Sequence, residues 1–226
     1  MLVDSPLFPS FLSMILSIEK HVVWELGKHL VYSSMRTFVG LAWGMVLGIP
    51  LGFILGQVKI IDRFIGPLLY LTYPFPKVIL VPILILLLGI GDLSKISLIA
   101  MITFYQMAVT AKDAASNIPR HYFTAFYSLG GKKLQAYRYV VLPACLPKLF
   151  TCTRISLSTS LALLFFTETY ATSEGIGYFV WDAFARYDYN LVYLGSASLC
   201  LLGFGSYLLI DLAESIWAKW SLDMSR

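Results

Sequence analysis

Five stretches of the chain are apolar over most of the length that a bilayer crossing needs, about 20 residues for a helix. Their limits are roughly 37–56, 64–89, 96–111, 146–167 and 191–212, and they predict an all-α membrane protein with five transmembrane helices. The second stretch is interrupted by Pro67, Pro74, Pro76 and Pro82 and is expected to bend. The first carries Gly40, Gly44, Gly48, Gly52 and Gly56 at every fourth position. A stripe of small residues lets a second helix approach closely, so this face is assigned to scaffolding. Ahead of the first span, residues 7–18 supply only about a dozen apolar positions, too few to cross. Glu19, Lys20 and His21 close that run, and residues 7–31 read as an amphipathic interfacial segment lying on the membrane.

Composition agrees with this pattern. Of 226 residues, 58% are hydrophobic and only 13% charged, with mean hydropathy +0.75. A soluble domain has about 25% charged residues, so a soluble enzyme, a disordered chain and a nucleic-acid binder are excluded. In a membrane protein the net charge of +4 reports topology. Lys59, Arg63, Lys112, Arg120, Lys132, Lys133, Arg138, Lys219 and Arg226 fall on one side, against Lys20, Lys28, Lys95 and Arg186 on the other. The richer side is expected to be cytoplasmic, which puts the N-terminus outside and the C-terminus inside. The loop 168–190 is then external and acidic, with Glu168, Glu174, Asp182 and Asp188 against Arg186. No linker or repeat divides the chain, so residues 1–226 read as a single transmembrane domain.

Chemistry-bearing motifs are sparse. Cys145, Cys152 and Cys200 form no Cys-x-x-Cys and read as small hydrophobes packed between helices. His21, His29 and His121 are too scattered for one metal site. The run 7–18 follows Asp4 without a basic residue and precedes no small-residue cleavage site, so no cleavable signal peptide is expected. Neither Gly-x-Ser-x-Gly nor His-Glu-x-x-His occurs, and no Gly-x-x-x-x-Gly-Lys-Ser/Thr is present to cradle a nucleotide. The chain is therefore expected to be no enzyme and to bind no cofactor or metal itself.

Residues 112–142 are unusual for a connector. Asn117 and Pro119 signal a helix start, and Tyr122, Phe123, Phe126 and Tyr127 follow at helical spacing. Gly130-Gly131 is a helix stop, with a positive φ expected at Gly130. A second helix is expected from Lys132, striped by Leu134, Tyr137, Val140 and Val141, with Pro143 marking its junction with the fourth span. Such an element serves either as a knob for a cytoplasmic partner or as an anchor in lipid head groups, and the pattern alone does not choose.

The segment resembles the cytoplasmic signature of ABC-importer permeases, Glu-Ala-Ala-x-x-x-Gly followed nine residues later by Ile-x-Leu-Pro. Gly130 is followed at that spacing by Val140-Val141-Leu142-Pro143, while Thr124-Ala125-Phe126 replaces the acidic start. Pro74-Phe75-Pro76-Lys77, Val81-Pro82-Ile83, Leu88-Gly89-Ile90-Gly91 and Leu142-Pro143-Ala144-Cys145-Leu146-Pro147 are similar to runs of the nitrate/sulfonate/taurine type. So are Arg154-Ile155-Ser156-Leu157 and Glu168 with Glu174-Gly175-Ile176-Gly177-Tyr178. The resemblance covers residues 8–215. Phe8-Pro9-Ser10 matches the segment that follows the usual first span, so that span is read as missing here.

The resemblance implies a type I ABC importer permease core in the bacterial cytoplasmic (inner) membrane. Two copies would form a homodimer around one path, two ATP-binding subunits carrying the ATP and Mg would dock on the cytoplasmic segment, and an external solute-binding protein would deliver a small polar or anionic solute. It implies ATPase coupling through Tyr122, Phe123, Thr124, Ala125, Phe126, Tyr127, Gly130 and Pro143. A methionine-type or other five-span permease, a small channel and a membrane-embedded enzyme are the alternatives.

Candidate pathway residues each carry two readings. Lys77 either snorkels to head groups beside the Pro74/Pro76 break or meets the solute. Arg154 either snorkels or pairs with a neighbour across the bundle, or contacts an anionic solute. Glu168 is either a pathway carboxylate or an interfacial one. Ser156, Thr159 and Ser160 either pack helices, the better reading for most of them, or line the passage.

Overall fold

The computed structural model describes residues 20–170 and 172–220, and among these every regular element is helical. Four helices are long and apolar enough to cross a membrane: α1 (Lys20–Gln57), α4 (Asp92–Ser116), α6 (Lys133–Glu168) and α8 (Tyr189–Trp217). The second apolar run is broken after Thr72. It yields α2 (Lys59–Thr72), a short 3₁₀ turn (Lys77–Leu80) and α3 (Val81–Leu88), which together make up to a fifth span. Two shorter helices complete the set, α5 (Arg120–Ser128) and α7 (Ile176–Ala185).

The helices run past the limits that hydropathy set. α1 has 38 residues and is continuous from Lys20, about 57 Å at 1.5 Å per residue. Residues 20–31, expected as part of a separate interfacial segment, continue into the first span without a break, and residues 7–19 lie outside the described residues. The second helix of the 112–142 segment likewise does not stop at Pro143. It is the start of α6, whose 36 residues pass through a π-helical stretch at Tyr137–Val141. Pro143 has no N–H for the Tyr139 carbonyl. Just before it, the Leu142 N–H reaches back five residues to the Tyr137 carbonyl.

Two compact units share these helices. The first comprises residues up to Gly40, Val78–Ile99 and Ser158–Ser206; the second comprises Leu41–Lys77, Ala100–Leu157 and Tyr207 onward. The glycine stripe acts in both. In the first unit, a Cβ at Gly40 would lie 2.6 Å from the Ile99 side chain. In the second, Cβ atoms at Gly44, Gly48, Gly52 and Gly56 would lie 2.4–2.7 Å from atoms of α4, among them the carbonyls of Ala100, Phe104, Ala108 and Lys112. Each glycine meets the next turn of α4, because both helices repeat the contact every four residues. The second unit's core adds Phe53, Met107, Ala111, Val141, Leu149 and the free thiols Cys145 and Cys152, which pack as small apolar groups; Cys200, also free, is exposed.

Candidate functional site

In the second unit, α5 starts directly after Pro119 and ends at Leu129, whose N–H still bonds to the Ala125 carbonyl. Gly130 then takes φ +84°, the left-handed conformation expected there. Gly131 is needed for a different reason: a Cβ there would lie 2.2 Å from the Phe126 ring. The Gln135 side chain accepts the Lys132 N–H at 2.9 Å and closes the start of α6.

The four aromatics of α5 do not share one outward face. Phe123 is half-buried against the unit's core, and Phe126 is half-buried and stacked on Tyr139 at 6.3 Å. Tyr122, Thr124, Ala125 and Tyr127 are exposed, as is Leu129 at 88%. Two rings therefore brace the helix, while the short residues and the tyrosines form its free surface. Pro143 lies in α6 one turn beyond Tyr139 and lines, with Tyr122, Phe126 and Trp220, an apolar groove of about 580 Å³.

The other predicted residues separate. Lys77 folds back on the end of α2, donating to the Thr72 carbonyl at 3.1 Å and to the Tyr73 carbonyl, with its ammonium 4.5 Å from the Tyr105 ring centre. It caps carbonyls that the helix end leaves without partners. Arg154 donates to Asp211 through Nε at 2.8 Å and also pairs with Glu214, both on α8. Ser156 is fully buried and 4.0 Å from Cys152 Sγ. In the first unit, Thr159 is half-buried, and Ser160 is fully buried with its hydroxyl lacking a hydrogen-bond partner among the described residues.

Glu168 lies at the centre of the first unit's polar core and is 1% exposed. It accepts from Arg36 at 2.7 Å, from the Ser33 hydroxyl at 2.8 and 2.9 Å, and from the Gly177 N–H at 3.0 Å. Arg36 also donates to Asp92 at 2.6 Å and to the Glu174 carbonyl at 2.8 Å. Ser33 in turn accepts the Ile176 N–H at 2.8 Å. The corner between α6 and α7 is thus fastened to α1. Gly175, at φ +116°, sits where a Cβ would fall 2.2 Å from the Glu168 carboxyl.

Arg36, Ser33 and Asp92 were not among the residues singled out from sequence. The signal available was a lone arginine inside an apolar span, which demands a partner. α7 was likewise missed inside the acidic loop: Ile176, Phe179, Val180 and Ala183 form its buried face.

Four spanning helices, a broken apolar run and the short helix-glycine-helix element define a polytopic membrane subunit. Residues 48–217 match the family described as "Binding-protein-dependent transport system inner membrane component", and the chain belongs to that family. It is 29% identical over 179 residues to the taurine transport system permease protein TauC of Escherichia coli, covering 79% of this chain and 65% of TauC. It is also 29% identical to the formylaminopyrimidine transport permease protein ThiX of Halalkalibacterium halodurans, over 85% of this chain and 77% of that one. The putative aliphatic sulfonates permease SsuC of Bacillus subtilis is 27% identical over 96% of this chain and 79% of its own. A solved structure of the MetNI methionine ABC transporter, in an inward-facing conformation, has a chain that superimposes with a TM-score of 0.67 over 86% of this chain and 99% of that one; at 20% identity this establishes the fold.

Proposed function

We propose that the chain is a single-domain, five-span permease subunit of a type I ABC importer, with its N-terminus outside and its C-terminus in the cytoplasm. A homodimer would enclose the path, and two separate ATPase subunits would hydrolyse the ATP. An external binding protein would deliver a small polar or anionic solute, of the class that the taurine, sulfonate and formylaminopyrimidine permeases are named for.

The observation that carries this reading is the construction of α5. A nine-residue helix is set off by Pro119 and Gly130, braced from behind by Phe123 and Phe126, and left exposed along Tyr122, Thr124, Ala125, Tyr127 and Leu129. A helix held this way transmits a push to α6 as a rigid body. Replacing Gly130 by valine places a branched residue at positive φ, at a cost of about 1 kcal/mol or more, and tilts the surface. Uptake by reconstituted transporter is expected to fall while ATP hydrolysis persists. Unchanged uptake together with unchanged substrate-stimulated hydrolysis would remove the coupling role. A reporter fused after Arg226 is expected to read cytoplasmic and one before Met1 external.

A further inference from the structure

The corner that follows α6 is held by four side chains, three of them on α1, and one of those three works only in one protonation state. Arg36 donates to the Glu174 carbonyl, Ser33 accepts the Ile176 N–H, and Glu168 accepts the Gly177 N–H. The fourth contact is His29 Nδ1, which accepts the Gly175 N–H at 3.0 Å. An imidazole accepts only through an unprotonated nitrogen; the imidazolium carries N–H on both and must turn a donor toward the Gly175 N–H. We propose that His29 is a proton-operated latch on this corner: the neutral ring holds the Gly175 amide, and the protonated ring releases it.

The surroundings let the switch operate. His29 is half-buried, so a proton can reach it. The charged groups that face it are Glu25 and Arg36 on α1, Glu174 in the corner and Asp182 on α7. The His29 ring also lies 5.9 and 5.6 Å from the rings of Tyr178 and Phe179, the first turn of α7. Release of Gly175 therefore loosens the start of that helix. Gly175 cannot move toward Glu168 to compensate, because that side is already closed to a single added carbon. The direction follows from the bond: it is present while the ring is neutral and lost as pH falls through the ring's titration.

Hydrogen exchange of the purified chain in detergent tests the latch without reference to membrane orientation or to an ATPase. After correction for intrinsic rates, peptides covering 175–178 are expected to exchange several-fold faster at pH ~5 than at pH ~7.5, while peptides within α4 do not change. His29→Asn supplies an acceptor oxygen in place of Nδ1 and does not titrate, so it should keep protection at both pH values. His29→Leu should lack it at both. Equal protection of the wild type at the two pH values, or loss in His29→Asn that parallels the wild type, overturns the latch. In the reconstituted importer, acid on the face carrying the corner should lower wild-type uptake more than twofold and leave the His29→Asn profile flat. A flat wild-type profile overturns the role in transport. The face to acidify follows from the orientation proposed above and is read independently by the terminal reporters.

Discussion

Arg36 in the first unit and Arg154 in the second each sit between two carboxylates, yet the two clusters are built differently. Arg36 is 2% exposed, and its partners Asp92 and Glu168 are 36% and 1% exposed. Lys95, itself buried, interacts electrostatically with Arg36, Glu168 and Asp92. Arg154 is 18% exposed and pairs with Asp211 and Glu214. Asp211 keeps 44% exposure, so this second cluster is open to screening by solvent or head groups. The buried cluster also holds backbone groups of the α6–α7 corner, whereas Arg154 ties α6 to α8. The more deeply buried cluster is the one that fixes a loop, and there the loss of one partner leaves a charge that water cannot reach.

The largest effect is expected from Arg36→Met, which strands two carboxylates and should cost about 3–5 kcal/mol, read as a lowered unfolding midpoint in detergent. Adding Glu168→Gln should restore part of that loss; a double variant as unstable as the single one would mean that Arg36 acts by packing alone. Lys95→Met removes a buried cation from beside Arg36, Glu168 and Asp92, and a loss on the order of 2–3 kcal/mol is expected, below that for a direct partner. Ser33→Ala removes one donor to Glu168 and one acceptor for Ile176, for about 1–3 kcal/mol. The exchange of the Gly175–Gly177 amides should rise with it. Arg154→Gln should cost least, about 1 kcal/mol or less, and the difference from wild type should shrink further at high salt. A loss as large as that of Arg36→Met would break the comparison.

The contrast also explains what could be read in advance. Hydropathy found each spanning helix, because twenty apolar residues in a row have few other uses. The glycine stripe was legible as a packing face because its period is that of the helix. Arg154 was legible as a pairing residue, though not its partners, which lie 57 and 60 positions away. Glu168 was assigned to the pathway or the interface, and the structure shows it buried in a knot with Arg36 and Ser33. Nothing local distinguishes a carboxylate at the end of a span from one in the core, since the distinction depends on where Arg36 falls, 132 positions earlier. The π stretch before Pro143 was invisible for a related reason: the proline marks a lost donor, while the surrounding packing decides whether the helix stops or widens.

By itself, the sequence determined that this chain lies in a membrane, that its first span packs closely against another helix, and that a short helix ends at Gly130. Those properties depend on local hydrophobicity, period and backbone freedom. The tertiary structure alone decided which charges neutralise one another, which rings of α5 face inward, and that Gly175 hangs from His29. Each of these is a contact between residues far apart in the chain, and its energy exists only once both have been brought together and withdrawn from water.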